Sequence, residues 1–163
     1  YFALKLPHCW WLWGIDIQLE TDIDKPQIDY FDHFAQQLQP GDRVILCTPT
    51  SSWVDAGDDD ASAQREARAH QNLSFLEDRI RKQGADIAIS LAGDLHHYTH
   101  YVRSGGDRHK FTAGGGGAFL YGTHALADRL CLYEGGQTRD EYRKVAAYPD
   151  APASRRLRSG VRV

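Results

Sequence analysis

The sequence predicts a mixed α/β domain, and three observations carry that prediction. Val44-Ile45-Leu46-Cys47 and Ile87-Ala88-Ile89-Ser90-Leu91-Ala92 are short apolar runs of the kind found in strands covered on both faces. A stretch of helical periodicity precedes each run, and strand-like segments rather than another helix follow the second. Strand-helix-strand-helix-strand followed by antiparallel strands puts a functional site at the carboxyl ends of the buried strands.

Taken in order, Phe2 to Leu6 and Trp10 to Ile17 read as two strands around Pro7, the second alternating into Ile15 and Ile17. A helix follows. Asp24 is its N-cap, Pro26 lies in its first turn and Gln27 is placed to reach back as in a capping box. Ile28, Phe31, Ala35 and Leu38 make one apolar stripe before Pro40-Gly41 ends it. Val44 to Cys47 is the next strand. Ser51 to Ser62 is an acidic surface excursion; its Asp58-Asp59-Asp60 lacks the spaced ligands and glycine of a calcium loop, so it reads as solvated. Ala69, Leu73, Leu76 and Ile80 mark one face of a second helix, with Gly84 as its stop. Ile87 to Ala92 is the second buried strand. Tyr98 to Arg103 and Lys110 to Ala113 read as a hairpin through Ser104-Gly105-Gly106-Asp107, Phe119 to Ala127 as loop and short helix, and Tyr142 to Tyr148 as a returning strand. Residues 1–150 therefore hold the domain, and 151–163, with Arg155, Arg156, Arg158 and Arg162, read as a departing basic linker.

With 163 residues, 42% of them hydrophobic, the chain has the size and composition of a single globular unit. A formal net charge of −3 argues against a general nucleic-acid binder. No run of about 18 apolar residues is present, so no membrane span is expected. Trp10, Trp11 and Trp13 lack the cationic flank and cleavage site of a signal peptide. Cys9, Cys47 and Cys131 are scattered, which fits a reducing, cytoplasmic setting better than a disulfide framework. The chain has no methionine and opens in mid-strand, so sequence upstream of Tyr1 is expected, and with it association through exposed sheet edges.

The segment with most chemistry is Gly93-Asp94-Leu95-His96-His97-Tyr98, which sets a carboxylate and two imidazoles at a strand end. His96 and His100 would share one strand face and His97 the other, so the histidines cannot act together as one three-histidine zinc set. His96 is the candidate metal ligand; His97 orients the loop or touches a substrate oxygen. Gly114 to Gly117 offers consecutive backbone N–H groups that suit an anion, with Gly115 and Gly116 as the candidate substrate-binding positions. A tight turn where two sheets meet is the structural alternative. No Gly-x-Gly-x-x-Gly pattern and no Gly-Lys-Ser/Thr ending is present, so a nucleotide loop is not predicted.

These segments resemble the carboxyl-terminal half of a calcineurin-like metallophosphoesterase. Gly93-Asp94-Leu95-His96 resembles the family's final Gly-His-x-His motif, and the glycine run followed by Ala118-Phe119-Leu120 resembles the segment after it. Trp13-Gly14-Ile15-Asp16-Ile17-Gln18, leading into the Pro26-Gln27 helix, resembles the strand and helix after the Asn-His motif. The resemblance covers about residues 1–150 and implies a layered α-β-β-α sandwich, incomplete at the amino end. It further implies a phosphoester substrate and two divalent ions, of Mn, Zn or Fe, in the intact enzyme. His96 would bind one ion, Asp94 would stand in for the first histidine of the motif, and Cys47 or Thr48 would hold the place of an isolated histidine before Pro49. His97 would contact the phosphoryl group or leaving oxygen. The family's Asp-x-His, Gly-Asp and Gly-Asn-His motifs have no counterpart here, so this chain alone is expected to be inactive. Two other readings compete: a degenerate module that binds without turnover, and a mononuclear zinc hydrolase using Asp94, His96 and His124.

Overall fold

In the computed structural model, residues 1–17, 23–54, 73–115, 121–134 and 138–160 are described. Eight strands form a single mixed sheet: β1 (Phe2–Leu6), β2 (Trp10–Gly14), β3 (Arg43–Thr48), β4 (Asp86–Ala92), β5 (Tyr98–Arg103), β6 (His109–Ala113), β7 (Arg129–Glu134) and β8 (Thr138–Tyr148). Their order across the sheet is β1-β2-β3-β4-β6-β5-β8-β7. Neighbours from β2 through β3 and β4 to β6 run parallel, while β1 and the β6-β5-β8-β7 series pair antiparallel. The parallel strands thus present their carboxyl ends along one edge.

The helices are α1 (Lys25–Ala35), α2 (residues 73–82) and α3 (Ala151–Gly160), with a short 3-10 turn at Thr123–Ala125. Asp24 caps α1 as expected, accepting the Gln27 N–H at 3.0 Å. Gln27 itself departs from the expectation. Its side chain does not close a capping box; it donates to the Asp16 carbonyl at 2.9 Å and accepts the Asp16 N–H at 2.7 Å. A buried amide side chain must satisfy both of its ends, and the exit of β2 offers a free donor and acceptor together. Gly84, with φ of +77°, ends the turn after α2, where a Cβ would meet Pro40 at a tight 3.2 Å.

One face of the sheet carries the main core. Trp11, Trp13, Val44, Leu46 and Ile87 are buried against Phe31, Ala35 and Leu38 of the α1 segment and Leu73, Leu76 and Ile80 of α2. Trp13 stacks on Phe31 with centroids 4.9 Å apart. Buried Asp42 ties the strand ends to this layer, accepting from Trp11 Nε1 and from the Gln39 N–H, each at 2.9 Å. A second cluster of Trp53, Ala92, Tyr101, Leu130, Leu132 and Tyr142 extends the same face toward β7. Within it Lys110 is buried with Nζ 5.3 Å from the Trp53 ring and 5.1 Å from the Tyr142 ring, a placement that keeps an ammonium group near aromatic faces.

The opposite face is different. Register places Phe2, Leu4, Leu12, Ile45, Leu91 and Phe111 there, and none is buried; Phe2 and Leu4 remain 42% and 52% exposed. Trp10 lies on this face with the Arg43 guanidinium 4.5 Å above its ring. The expectation that Val44 to Cys47 is covered on both sides is therefore corrected: Val44 and Leu46 are buried, Ile45 and Cys47 only half-buried. Among the described residues there is one sheet, and β6 leads to Gly114 from within it.

Other expectations shift at their borders. The second strand stops at Gly14 rather than Ile17, β7 was not anticipated, and β8 begins earlier than Tyr142. Residues 151–160, read from the sequence as part of a departing linker, are helical. Asp150 accepts the Ala153 N–H at 2.7 Å as a cap, and Ser154 is buried against the 3-10 turn. The Asp58 to Asp60 triplet and Ala69 lie outside the described residues. Among the described residues no helix is long and apolar enough to cross a membrane.

Candidate functional site

The carboxyl edge gathers the exits of β2, β3, β4 and β6. The loop after β4 is pinned to the exit of β3, because the Pro49 carbonyl accepts both the Gly93 N–H at 3.1 Å and the Asp94 N–H at 2.9 Å. At its far end the His97 N–H donates to the Leu95 carbonyl at 2.7 Å, and the Gly114 N–H donates to the His97 carbonyl at 3.0 Å. The loop is thus held on two sides by backbone. Gly114 is required for this: a Cβ there would lie 2.1 Å from the Leu95 carbonyl oxygen and 2.4 Å from that of Gly93. That close approach, rather than an anion nest, is the visible use of the first glycine in the run.

This scaffold leaves Asp94 exposed and His96 half-buried, with the His96 ring 6.3 Å from that of Tyr121, while His97 is turned inward at 3% exposure. Gly115 follows the fixed Gly114 and is exposed; Gly116 lies outside the described residues. Cys47 sits at the end of β3, where it lines a cavity of about 250 Å³ together with Phe2, Ile15, Asp16, Thr48 and Pro49. Asp94 and His96 are not among the residues lining it. Pro49 belongs to both, lining the cavity and holding the loop with its carbonyl.

Sequence reasoning did not single out Asp16, which lines the cavity beside Cys47. Gln27 holds the Asp16 main chain through both the N–H and the carbonyl, so the backbone of this cavity-lining residue is fixed. The visible signal was a carboxylate just past the end of a strand. Ser51 and Thr112, joined at 2.7 Å between their hydroxyls, and Thr48, donating to the Thr50 carbonyl at 3.0 Å, stiffen the same edge.

The residues present do not by themselves fit a two-metal centre. Among the described residues no three His, Cys, Asp or Glu side chains gather closely enough to hold an ion. Burial pushes the Cys47 thiol up, which opposes the thiolate that a metal would need. His124 is committed to α3, with Nδ1 2.8 Å from Ser154 Oγ and Nε2 3.2 Å from Arg158, so the Asp94, His96 and His124 set is not assembled. His100 also leaves the loop, pairing across the hairpin with His109 on the open face of the sheet.

No protein-family model and no curated protein matches the sequence. Among solved structures the chain is similar to the purple acid phosphatase PPD1 from yellow lupin (Lupinus luteus) seeds. Identity is 12%, the TM-score is 0.49, and the match covers 85% of this chain and 25% of that one. The chain spans one quarter of that protein's length.

Proposed function

We propose that this chain is the carboxyl-terminal portion of a metal-dependent phosphoester hydrolase of the calcineurin-like type. The single observation that carries the reading is the tie at Pro49. It sets the Cys47-Thr48-Pro49 exit beside the Gly93-Asp94-Leu95-His96 loop, so the two segments that resemble the family's later motifs share one edge of parallel strands. His96 and Asp94 would contribute metal ligands, Gly115 and Gly116 would face the phosphoester, and His97 would act by orienting the loop. The remaining ligands would come from sequence amino-terminal to Tyr1.

The bare apolar face supports the same reading at the level of fold. Residues 1–150 provide one helical layer and one sheet, and a second sheet and helical layer would complete an α-β-β-α sandwich over Leu4, Leu12, Ile45 and Phe111. Residues 151–163 would follow as a basic extension outside that sandwich. The unpaired cysteines fit a reducing, cytoplasmic setting.

One observation favours the degenerate binding module instead, namely the lack of any three-donor cluster among the described residues. A turnover assay separates the two. The 163-residue chain and the same chain carrying its upstream sequence are compared on an aryl phosphate with Mn²⁺, Zn²⁺ or Fe²⁺. The longer chain should turn over and should lose activity by orders of magnitude on His96→Ala. Turnover by the short chain that survives His96→Ala would overturn the assignment, and a longer chain inert on every phosphoester tested would leave the binding module.

A further inference from the structure

His100 on β5 and His109 on β6 are diagonal neighbours across the hairpin, with His100 Nε2 3.0 Å from His109 Nδ1. Their centroids are 5.2 Å apart and their planes 28° apart. The centroid separation exceeds the nitrogen separation by about the sum of two ring radii, so the two nitrogens point at one another along the line joining the rings. This is the geometry of an imidazole–imidazole hydrogen bond. Lone pairs that meet head-on do not converge on a common ion, so the pair is not a chelate.

Such a bond can hold one or two protons on its facing nitrogens, but only one of them leaves it intact. With both rings neutral, one donates N–H and the other accepts. Adding one proton makes the bond charge-assisted. Adding a second leaves no acceptor and sets two cations in contact. The surroundings do not relieve that repulsion. Phe111 stacks on His100 at 4.1 Å, and register places Ile89, Val102 and Ala146 around the pair. The charged groups on this face of the adjoining strands include Arg143 and Glu141 on β8 and Asp86 on β4; Glu141 is already engaged by Arg129 at 2.7 Å and Asp86 by Arg108 at 2.8 Å.

The pair lies close to the candidate site in chain terms. His100 follows His97 by three residues, and Phe111, on which it stacks, precedes Gly114 by three. The bond therefore clamps the strand pair whose ends are joined by the Gly114 N–H to His97 carbonyl contact. We propose that His100 and His109 form an acid-sensitive latch, whose second protonation opens the hairpin end and loosens the loop bearing Asp94 and His96. The latch is a property of this chain; only its bearing on turnover rests on the hydrolase reading. Burial, and then the charge of His109, hold the His100 imidazole below its usual range, so the latch stays shut near neutrality.

Amide hydrogen exchange on the 163-residue chain tests this without any appeal to catalysis. Protection of the Gly114 and His97 amides, corrected for intrinsic exchange, is measured from about pH 7.5 to about pH 5. Wild type should lose about tenfold in protection at Gly114 across that range, while amides of β2 and β3 hold steady. His109→Gln, which keeps a hydrogen-bonding side chain but cannot titrate, should abolish the pH dependence; His100→Phe, which keeps the stack on Phe111, should do the same. Constant protection in wild type, or an equal loss in both variants, would overturn the latch. Because no activity is read, that result would leave the hydrolase proposal standing.

Discussion

The two faces of the sheet alternate along the same strands, yet one is dry and the other half wet. On β3, Val44 and Leu46 disappear beneath the helices while Ile45 and Cys47, one residue away on the same backbone, stay half-buried. On β2 the same division separates Trp11 and Trp13 from Trp10 and Leu12. The side chains on the two faces are of similar apolarity. Among the described residues, what differs is the presence of a covering layer, and composition reports what a face requires and not what it has found.

The contrast predicts unequal costs of substitution. Trp13→Ala, on the covered face with the ring fully buried against Phe31, should destabilise the chain by about 3–5 kcal/mol in urea unfolding. Leu4→Ser, on the open face and half exposed, should shift stability by no more than about 0.5 kcal/mol while reducing self-association in sedimentation. In a longer chain that supplies the proposed second layer, Leu4→Ser should become costly; if it stays neutral there, the open face is not the seat of that layer.

A second comparison sets the backbone-held loop against the side-chain-held strand exit. Gly114→Ala forces a methyl group onto two carbonyl oxygens and should cost about 1–3 kcal/mol, together with changed amide shifts at Leu95 and His97. Gln27→Ala leaves the Asp16 N–H and carbonyl without their partner and should cost about 1–3 kcal/mol, with its spectral changes confined to the β2 exit. Disturbance at Asp94 in the Gln27 variant would mean that the cavity and the loop move as one unit.

The smallest effect concerns pH. Because the folded state holds the His100 imidazole below its usual range, the unfolded chain binds the proton more readily. That contribution to stability is present above about pH 6.5 and is lost as pH falls toward the lower folded value. The thermal midpoint should therefore drop on mild acidification, and His100→Phe should flatten the drop. An identical pH profile in the variant would assign the acid sensitivity to other groups.

Much of the fold was legible because periodicity and caps act locally. Asp24, Phe31, Ala35 and the Gly84 stop stand where their residue types predict, and the hairpin through Gly105 and Gly106 forms with the anticipated strands. The strand β7 escaped because Leu130-Cys131-Leu132 is only three residues of alternation beside polar flanks. Helix α3 escaped because its buried contact is a serine, which hydropathy cannot flag. At the site, the edge could be read from the order of elements, but the partners could not. Whether Gln27 caps its own helix or reaches Asp16, and whether His100 joins His96 or His109, depends on register and helix placement across long stretches of chain. Local sequence carries no signal for either choice.

Arg43 over Trp10 gives the protein an optical reporter of its own. Of the four tryptophans, Trp11, Trp13 and Trp53 are sealed within the covered side, and only Trp10 looks out from the bare one. Emission from the first three is blind to anything that settles on the open surface. Trp10 alone would lose water and trade its guanidinium neighbour for new contacts, so a blue shift confined to that indole, read against Trp10→Phe, would time the arrival of a second layer in a mixing experiment without a label.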